Sequence, residues 1–203
     1  MPCDHADYIP LQAMAQSLTV ALGERDRHTR IHSERVVQLS AELASHLDFT
    51  QRELDLLALG AQFHDIGKIG IPDHVLLKPS AFEEDEWECM KQHTLIGERI
   101  VLALGNDKST EVARMVRHHH EHYDGSGYPD QLVGTDIPVF SRIIALTDSY
   151  DAIALTRPYH RARRHSQIMD ILASESGSKH DPDLLHAFNA VIEKSDMRAS
   201  DTD

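Results

Sequence analysis

Apolar residues recur at three- and four-residue steps along nearly the whole chain, the spacing of one buried face of an α-helix. Leu11, Met14, Ala15, Leu18 and Leu22 form a first stripe, and Gly23 is expected to end that helix. Ile31, Val36, Leu39, Leu43 and Leu47 mark a second. Leu54, Leu57, Ala58, Ala61 and Phe63 mark a third, which delivers His64 and Asp65 near its C-terminus before Gly67, Gly70 and Pro72 break it. Ser80 to Glu84 reads as a helix start, with acids in its first turn and Trp87, Met90 and Leu95 following. Val112 to Val116 carries a helix into a histidine run. Phe140 to Leu155 reads as a strongly apolar helix interrupted by Asp148 and Asp151, and Pro182 opens a last helix with Leu184, Leu185, Phe188 and Val191. Strand-like alternation is nowhere sustained, so the pattern predicts an all-α bundle.

No internal repeat or flexible linker interrupts the 203 residues, and one domain is the natural expectation for that length. The expected division is an N-terminal helix over 1–22, a catalytic domain over 23–194, and a polar tail over 195–203 that is expected to be disordered. A hydrophobic share of 41% with 26% charged residues is ordinary for a globular protein. The net charge of −13 argues against a surface that tracks a long nucleic acid, which needs clustered Lys and Arg. Cys3 and Cys89 fit neither a CxxC metal spacing nor a disulfide framework, so a reducing cytoplasm is the simplest setting. No stretch approaches a membrane span, and Asp4, His5 and Asp7 do not read as a signal peptide.

Histidine changes the picture, at 15 residues. The run His118-His119-His120-Glu121-His122, followed by Asp124-Gly125-Ser126-Gly127-Tyr128-Pro129, joins borderline metal ligands to a tight turn, and with His64-Asp65 it points to a polynuclear metal site that hydrolyses a phosphate ester. Successive helical residues point about 100° apart, so two of the three leading histidines can address one site while the third faces solvent or orients a neighbour. Lys68, one turn past His64-Asp65, could hold a phosphate oxygen. His28 and His32 share a helix face, although Arg25, Asp26, Arg27 and Arg30 around them make a solvated surface the simpler reading. His93 alone is more often a core or surface residue than a ligand. Asp148 sits in an apolar stretch, where a carboxylate needs a cation, a metal or several donors. Asp151 either orients a ligand histidine or pairs with Arg157 or Arg142.

Taken together, His64-Asp65-Ile66-Gly67-Lys68, His119-His120-Glu121 with Asp124 to Pro129, and Asp148-Ser149-Tyr150-Asp151-Ala152 with Arg157-Pro158-Tyr159 resemble the HD-GYP phosphodiesterases, from about Leu22 to Phe188. That resemblance implies an HD-domain helical bundle with extra C-terminal helices, and hydrolysis of cyclic di-GMP to linear pGpG and GMP. It implies metal ligands at His32, His64, Asp65, His93, His119, His120 and Asp148, with Asp65 bridging two ions and His118 extra. Asp65 and Lys68 are then the catalytic pair, and Lys68, Tyr128, Arg157 and His160 the substrate-binding residues.

Iron or manganese is the expected metal, although the donor set also suits zinc, nickel or cobalt. Two features depart from the family pattern. His28 stands where members with three ions carry glutamate, which leaves His28 and Asp151 as residues that either support a third ion or orient a ligand. His160 stands where the family often has Lys or Arg. Other readings are a phosphodiesterase for cyclic GMP-AMP, or a weakly catalytic module that docks diguanylate cyclases through the Gly-Tyr-Pro loop. A generic HD nucleotidase leaves His93, His119 and His120 without a task.

Overall fold

The computed structural model describes residues 8–25, 27–154 and 163–201; Arg157, His160 and the side chain of His28 lie outside the described residues. Among those described, helices follow one another in the order α1 (Tyr8–Arg25), α2 (Arg27–His46), α3 (Gln51–Phe63), α4 (Asp73–Leu76), α5 (Glu84–Lys91), α6 (His93–Leu102), α7 (Ser109–His118), α8 (Val139–Ala154), α9 (His165–Ser174) and α10 (Pro182–Ile192). A tight 3-10 turn over Ile66–Gly70 links α3 to α4. No strand forms among these residues, where one isolated bridge joins Ser176 to His180. The all-α expectation holds, and no described helix is long and apolar enough to cross a membrane.

Local chemistry sets the helix starts. Thr50 caps α3 in a reciprocal box with Glu53, and the Asp181 carboxylate accepts from the Asp183 and Leu184 amides while Pro182 opens α10. The main core is built from Val36, Leu39 and Leu43 of α2, Leu57 and Phe63 of α3, Val112 and Val116 of α7, and Ile143, Ile144 and Tyr150 of α8. Each such side chain withdrawn from water contributes about 1.5–3 kcal/mol. One polar pair crosses that interior, where the Ser40 and Thr147 hydroxyls meet at 2.8 Å. It leaves neither oxygen unpaired between α2 and α8.

Three sequence expectations need correcting. Helix α1 runs through Gly23 to Arg25, because Leu22 is buried and Arg25 is fastened beyond it to the carbonyls of Lys68 and Ile71 and to Asp73. Those contacts outweigh the roughly 1 kcal/mol that glycine costs inside a helix. The apolar pattern through Leu95 is divided, with α5 ending at Lys91 and α6 beginning at His93. Residues 195–201, expected to fray, lie against the bundle instead. Arg35 donates to the Met197 carbonyl, Tyr150 accepts from the Ala199 amide, and Ser200 accepts from the His165 amide.

Glycine is required where two of these elements meet. A Cβ on Gly67 would lie 1.8 Å from the His93 carbonyl oxygen and 2.5 Å from the Gly97 nitrogen. The 66–70 turn and α6 therefore touch backbone to backbone, which brings His64, Asp65 and His93 to one place.

Candidate metal centre

Three of the histidines are anchored in the same way. His64 Nδ1 donates to the Ala61 carbonyl at 2.6 Å, His93 Nδ1 to Met90 at 2.8 Å, and His119 Nδ1 to Val116 at 2.7 Å. Each acceptor lies in the last turn of a helix, where carbonyls lack an intrahelical partner. These bonds place the proton on Nδ1 and leave the Nε2 lone pair free to bind a metal. His32 is held differently, from the opposite side. Its Nδ1 meets Asp151 Oδ2 at 2.8 Å and its Nε2 meets Asp148 Oδ1 at 2.9 Å.

The donor atoms of the expected ligands fall into two groups, apart from a third cluster of His118, Glu121 and Asp130. His32, His64 and Asp148 form one, and His93, His119 and His120 the other, with the donor atoms of each within 4.8 Å of one another. Asp65 lies between them, with Oδ2 3.4 Å from His64 Nε2 and Oδ1 3.8 Å from His93 Nε2. The seven residues expected as ligands thus converge on one buried locus. The residues fit a metal on two grounds. His64 Nε2 is buried without a hydrogen-bond partner, and the Nε2 atoms of His93 and His119 face each other at 3.4 Å although both Nδ1 atoms are already donors. Two lone pairs in that position repel unless a cation lies between them.

Burial and charge set the protonation states. Burial lowers His93 to about 4 and His119 to about 3, and it holds His120 well below the usual imidazole range. Burial also acts to lower His32, but the hydrogen bonds to Asp148 and Asp151 outweigh it and raise the group to about 9. Asp65 and Asp148 resist the upward push of burial because Lys68 and His64 neighbour the first and His32 the second; both remain well below the ordinary carboxylate range. Lys68 Nζ rests 2.6 Å from Asp65 Oδ2.

The Gly-Tyr-Pro segment forms one wall. The Tyr128 ring lies nearly parallel to His120, with centroids 5.1 Å apart and planes at 29°, and its phenol is pushed up by burial. Glu121 is 2% exposed and ties the loop together, accepting from the Asp130 amide at 2.7 Å and the Leu132 amide at 3.1 Å. A Cβ on Gly127 would meet the His122 nitrogen at 2.2 Å, so the loop folds directly back on itself.

Several partners were not foreseen from sequence. Arg35 donates to Asp151 Oδ1, completing an Arg35–Asp151–His32 chain; Arg35 follows His32 by three positions, so their shared helix face was the available signal. Asp151 meets the His32 ring and pairs with Arg35; Arg142 is committed to Asp181, and Arg157 lies outside the described residues. His118 does not face solvent. It is 8% exposed and bonded to Asp130 and the Arg114 carbonyl, while Arg117 grips the same Asp130. The run can serve one site because α7 ends at His118, which frees His119 and His120 from helical spacing.

Comparison with known proteins agrees with this geometry. Residues 13–184 match the family described as HD domain. A cyclic di-GMP phosphodiesterase of Thermotoga maritima is 40% identical over 165 residues, which is 81% of this chain and 45% of that protein. The cyclic di-GMP phosphodiesterase response regulator RpfG of Xanthomonas campestris is 38% identical over 171 residues, 84% of this chain and 45% of its own length. Among solved structures, a cyclic GMP-AMP-specific phosphodiesterase of Vibrio cholerae shares the fold with a TM-score of 0.71 at 21% identity, over 92% of this chain and 50% of that one. The chain therefore spans about half the length of these relatives. With a His-Asp pair at the heart of the bundle and a family match running from α1 into α10, the chain belongs to the HD-domain family.

Proposed function

We propose that the chain is a metal-dependent phosphodiesterase of the HD-GYP type that hydrolyses cyclic di-GMP to linear pGpG and onward to GMP. The observation that carries this reading is the pair of donor groups flanking Asp65, each with nitrogens freed by a bond on the far side of the ring. Divalent ions at those groups supply Lewis acidity and a nucleophile at neutral pH. Iron or manganese is the assignment for both ions, and His28 is the place to test for a third.

The chain's own residues do the rest. Asp65, with one oxygen towards each group, would be shared by ions held at the two groups. Lys68 turns from Asp65 to a non-bridging phosphate oxygen once the carboxylate has another partner. Tyr128 walls the site beside His120, and Arg157 and His160 are assigned to substrate on resemblance. Asp151, itself held by Arg35, keeps the His32 ring in place. An intracellular messenger as substrate places the activity in the cytoplasm.

Anaerobic metal analysis paired with product identification from cyclic di-GMP tests the reading. Two ions per chain and pGpG are expected, and His64→Ala or Asp65→Ala should abolish both metal content and turnover. Undiminished hydrolysis by either metal-free variant would overturn it. A second reading, cyclic GMP-AMP as the preferred substrate, is favoured by a 3'3'-cGAMP-specific phosphodiesterase of Vibrio cholerae that is 34% identical over 173 residues, 85% of this chain. Side-by-side kinetics on the two dinucleotides decide between them. Docking of a diguanylate cyclase at the 125–129 loop is a separate reading, a weakly catalytic interaction module, and a direct binding measurement with a purified cyclase tests it.

A further inference from the structure

A cavity of about 810 Å³ opens beside the centre, with His120, Tyr128, Trp87, Lys91 and Lys179 in its lining. It is continuous in its lining with a smaller space of about 150 Å³ over His119, His120 and Asp148, since His120, His122 and Lys179 border both. Its size is that of a pocket for an organic ligand, well beyond what an ion and a phosphate need.

Trp87 is the chain's one tryptophan, and it is 43% exposed. The small apolar cluster of Ile71, Val75 and Met90 takes Phe82 as a partner but does not include Trp87. Phe82 nonetheless backs the indole at 6.1 Å with planes at 24°, and Tyr128 meets it edge-on at 6.2 Å. The indole is thus steadied by two rings yet leaves surface bare at the cavity. Lys91 and Lys179 line the same cavity as the indole, as do their partners Glu88 and Glu175. Lys91 Nζ lies 5.7 Å from the Tyr128 ring centre and is paired with Glu88, which is itself 61% exposed. Lys179 Nζ stands 3.7 Å from Glu175, with a third of its side chain exposed. In a chain of net charge −13, two cations converging on one aromatic-walled cavity mark a place for an anion that carries a flat ring.

We propose that Trp87, Lys91 and Lys179 form a second subsite, in which a purine base of the cyclic dinucleotide stacks on the indole and the non-scissile phosphate lies between the two ammonium groups. This rests on the phosphodiesterase reading for the identity of the substrate, and adds where the half of the molecule that does not react is held. Stacking is sequence-tolerant, because every base has a π-face, so the subsite fixes position and affinity more than base identity.

The single indole makes the subsite directly observable. GMP titrated into the metal-loaded protein should quench tryptophan fluorescence saturably, while ribose 5-phosphate and inorganic phosphate should not. In steady-state kinetics on cyclic di-GMP, Trp87→Ala should raise KM by about ten- to a hundredfold, the range for one lost base stack, with Trp87→Phe restoring most of it. The change should fall on KM rather than kcat, with metal content retained. Lys91→Ala and Lys179→Ala should each raise KM and flatten its dependence on salt. Hydrolysis by wild-type protein with no GMP quenching and an unaltered KM in Trp87→Ala overturns the subsite. Saturable quenching by GMP with cyclic di-GMP left intact supports the subsite and overturns the phosphodiesterase reading instead.

Discussion

Asp151 shows how much one carboxylate settles when it is fully buried. It accepts from His32 and Arg35 at once, so the ring that meets Asp148 cannot rotate away. Asp151→Ala should lower metal affinity about 10- to 100-fold while leaving every direct donor in place. Metal titration of the variant, with far-ultraviolet circular dichroism to verify the fold, checks this; unchanged affinity would show that the ring needs no support. At this scale, chemistry tied to burial was legible in sequence. Asp148 stands in an apolar helix and could be read as needing a partner. Partners reached across the fold were not legible, since nothing near His118 in sequence names Asp130 as its acceptor. Nor does sequence show that the Ala61, Met90 and Val116 carbonyls would fix three tautomers, because that depends on where each helix stops.

Between α7 and α8 the chain is organised by two carboxylates outside the two groups that flank Asp65, both of them clustered with His118. Glu121 collects two loop amides, and Asp130 receives Arg117 and His118. Arg117 and His118 hold the Asp130 group down to about 2, below its ordinary value. A depressed carboxylate contributes stability that is present above about pH 4 and is lost as pH falls through its folded value, here about 2. Acid titration followed by nuclear magnetic resonance should therefore show the 121–132 loop loosening in that window, and Asp130→Asn should remove the transition. The 66–70 turn makes a stronger demand. Gly67→Ala forces a methyl into the α6 backbone and should cost about 3 kcal/mol or more, read from denaturant unfolding, or prevent folding. Helix identities along the chain followed from periodicity, but their ends did not. Gly23 looked like a stop and Gln92 did not, because Arg25 bonds and the α6 approach to Gly67 outvote local propensity.

Across the whole molecule, five helices and their ends contribute to one centre, so metal binding and folding are linked. Removal of metal by chelation should lower the melting temperature, and re-addition should restore it in a concentration-dependent way. Free metal at about a hundred times its Kd adds about 2.7 kcal/mol. A melting temperature indifferent to chelator would mean that the donors hold no resident ion. The all-α architecture was legible because helical spacing persists over the chain. The docking of residues 195–201 was not, because Met197 and Ala199 are too few to make a periodic apolar pattern and the backbone bonds to Arg35 and Tyr150 leave no trace in the sequence.

The two donor groups differ in one further respect. His93 and His119 are 26 positions apart, on adjoining helices, whereas His32 and the Asp151 that steadies it are 119 apart. Closing the longer span costs roughly 1 kcal/mol more in chain entropy, and it requires α2 to dock on α8. An ion held by His93, His119 and His120 would be a local clasp, and one held by His32, His64 and Asp148 would be the bolt across the entire chain. Mild denaturation should therefore release them in sequence, the bolt first, leaving a half-loaded protein whose remaining metal says nothing about whether the fold is whole.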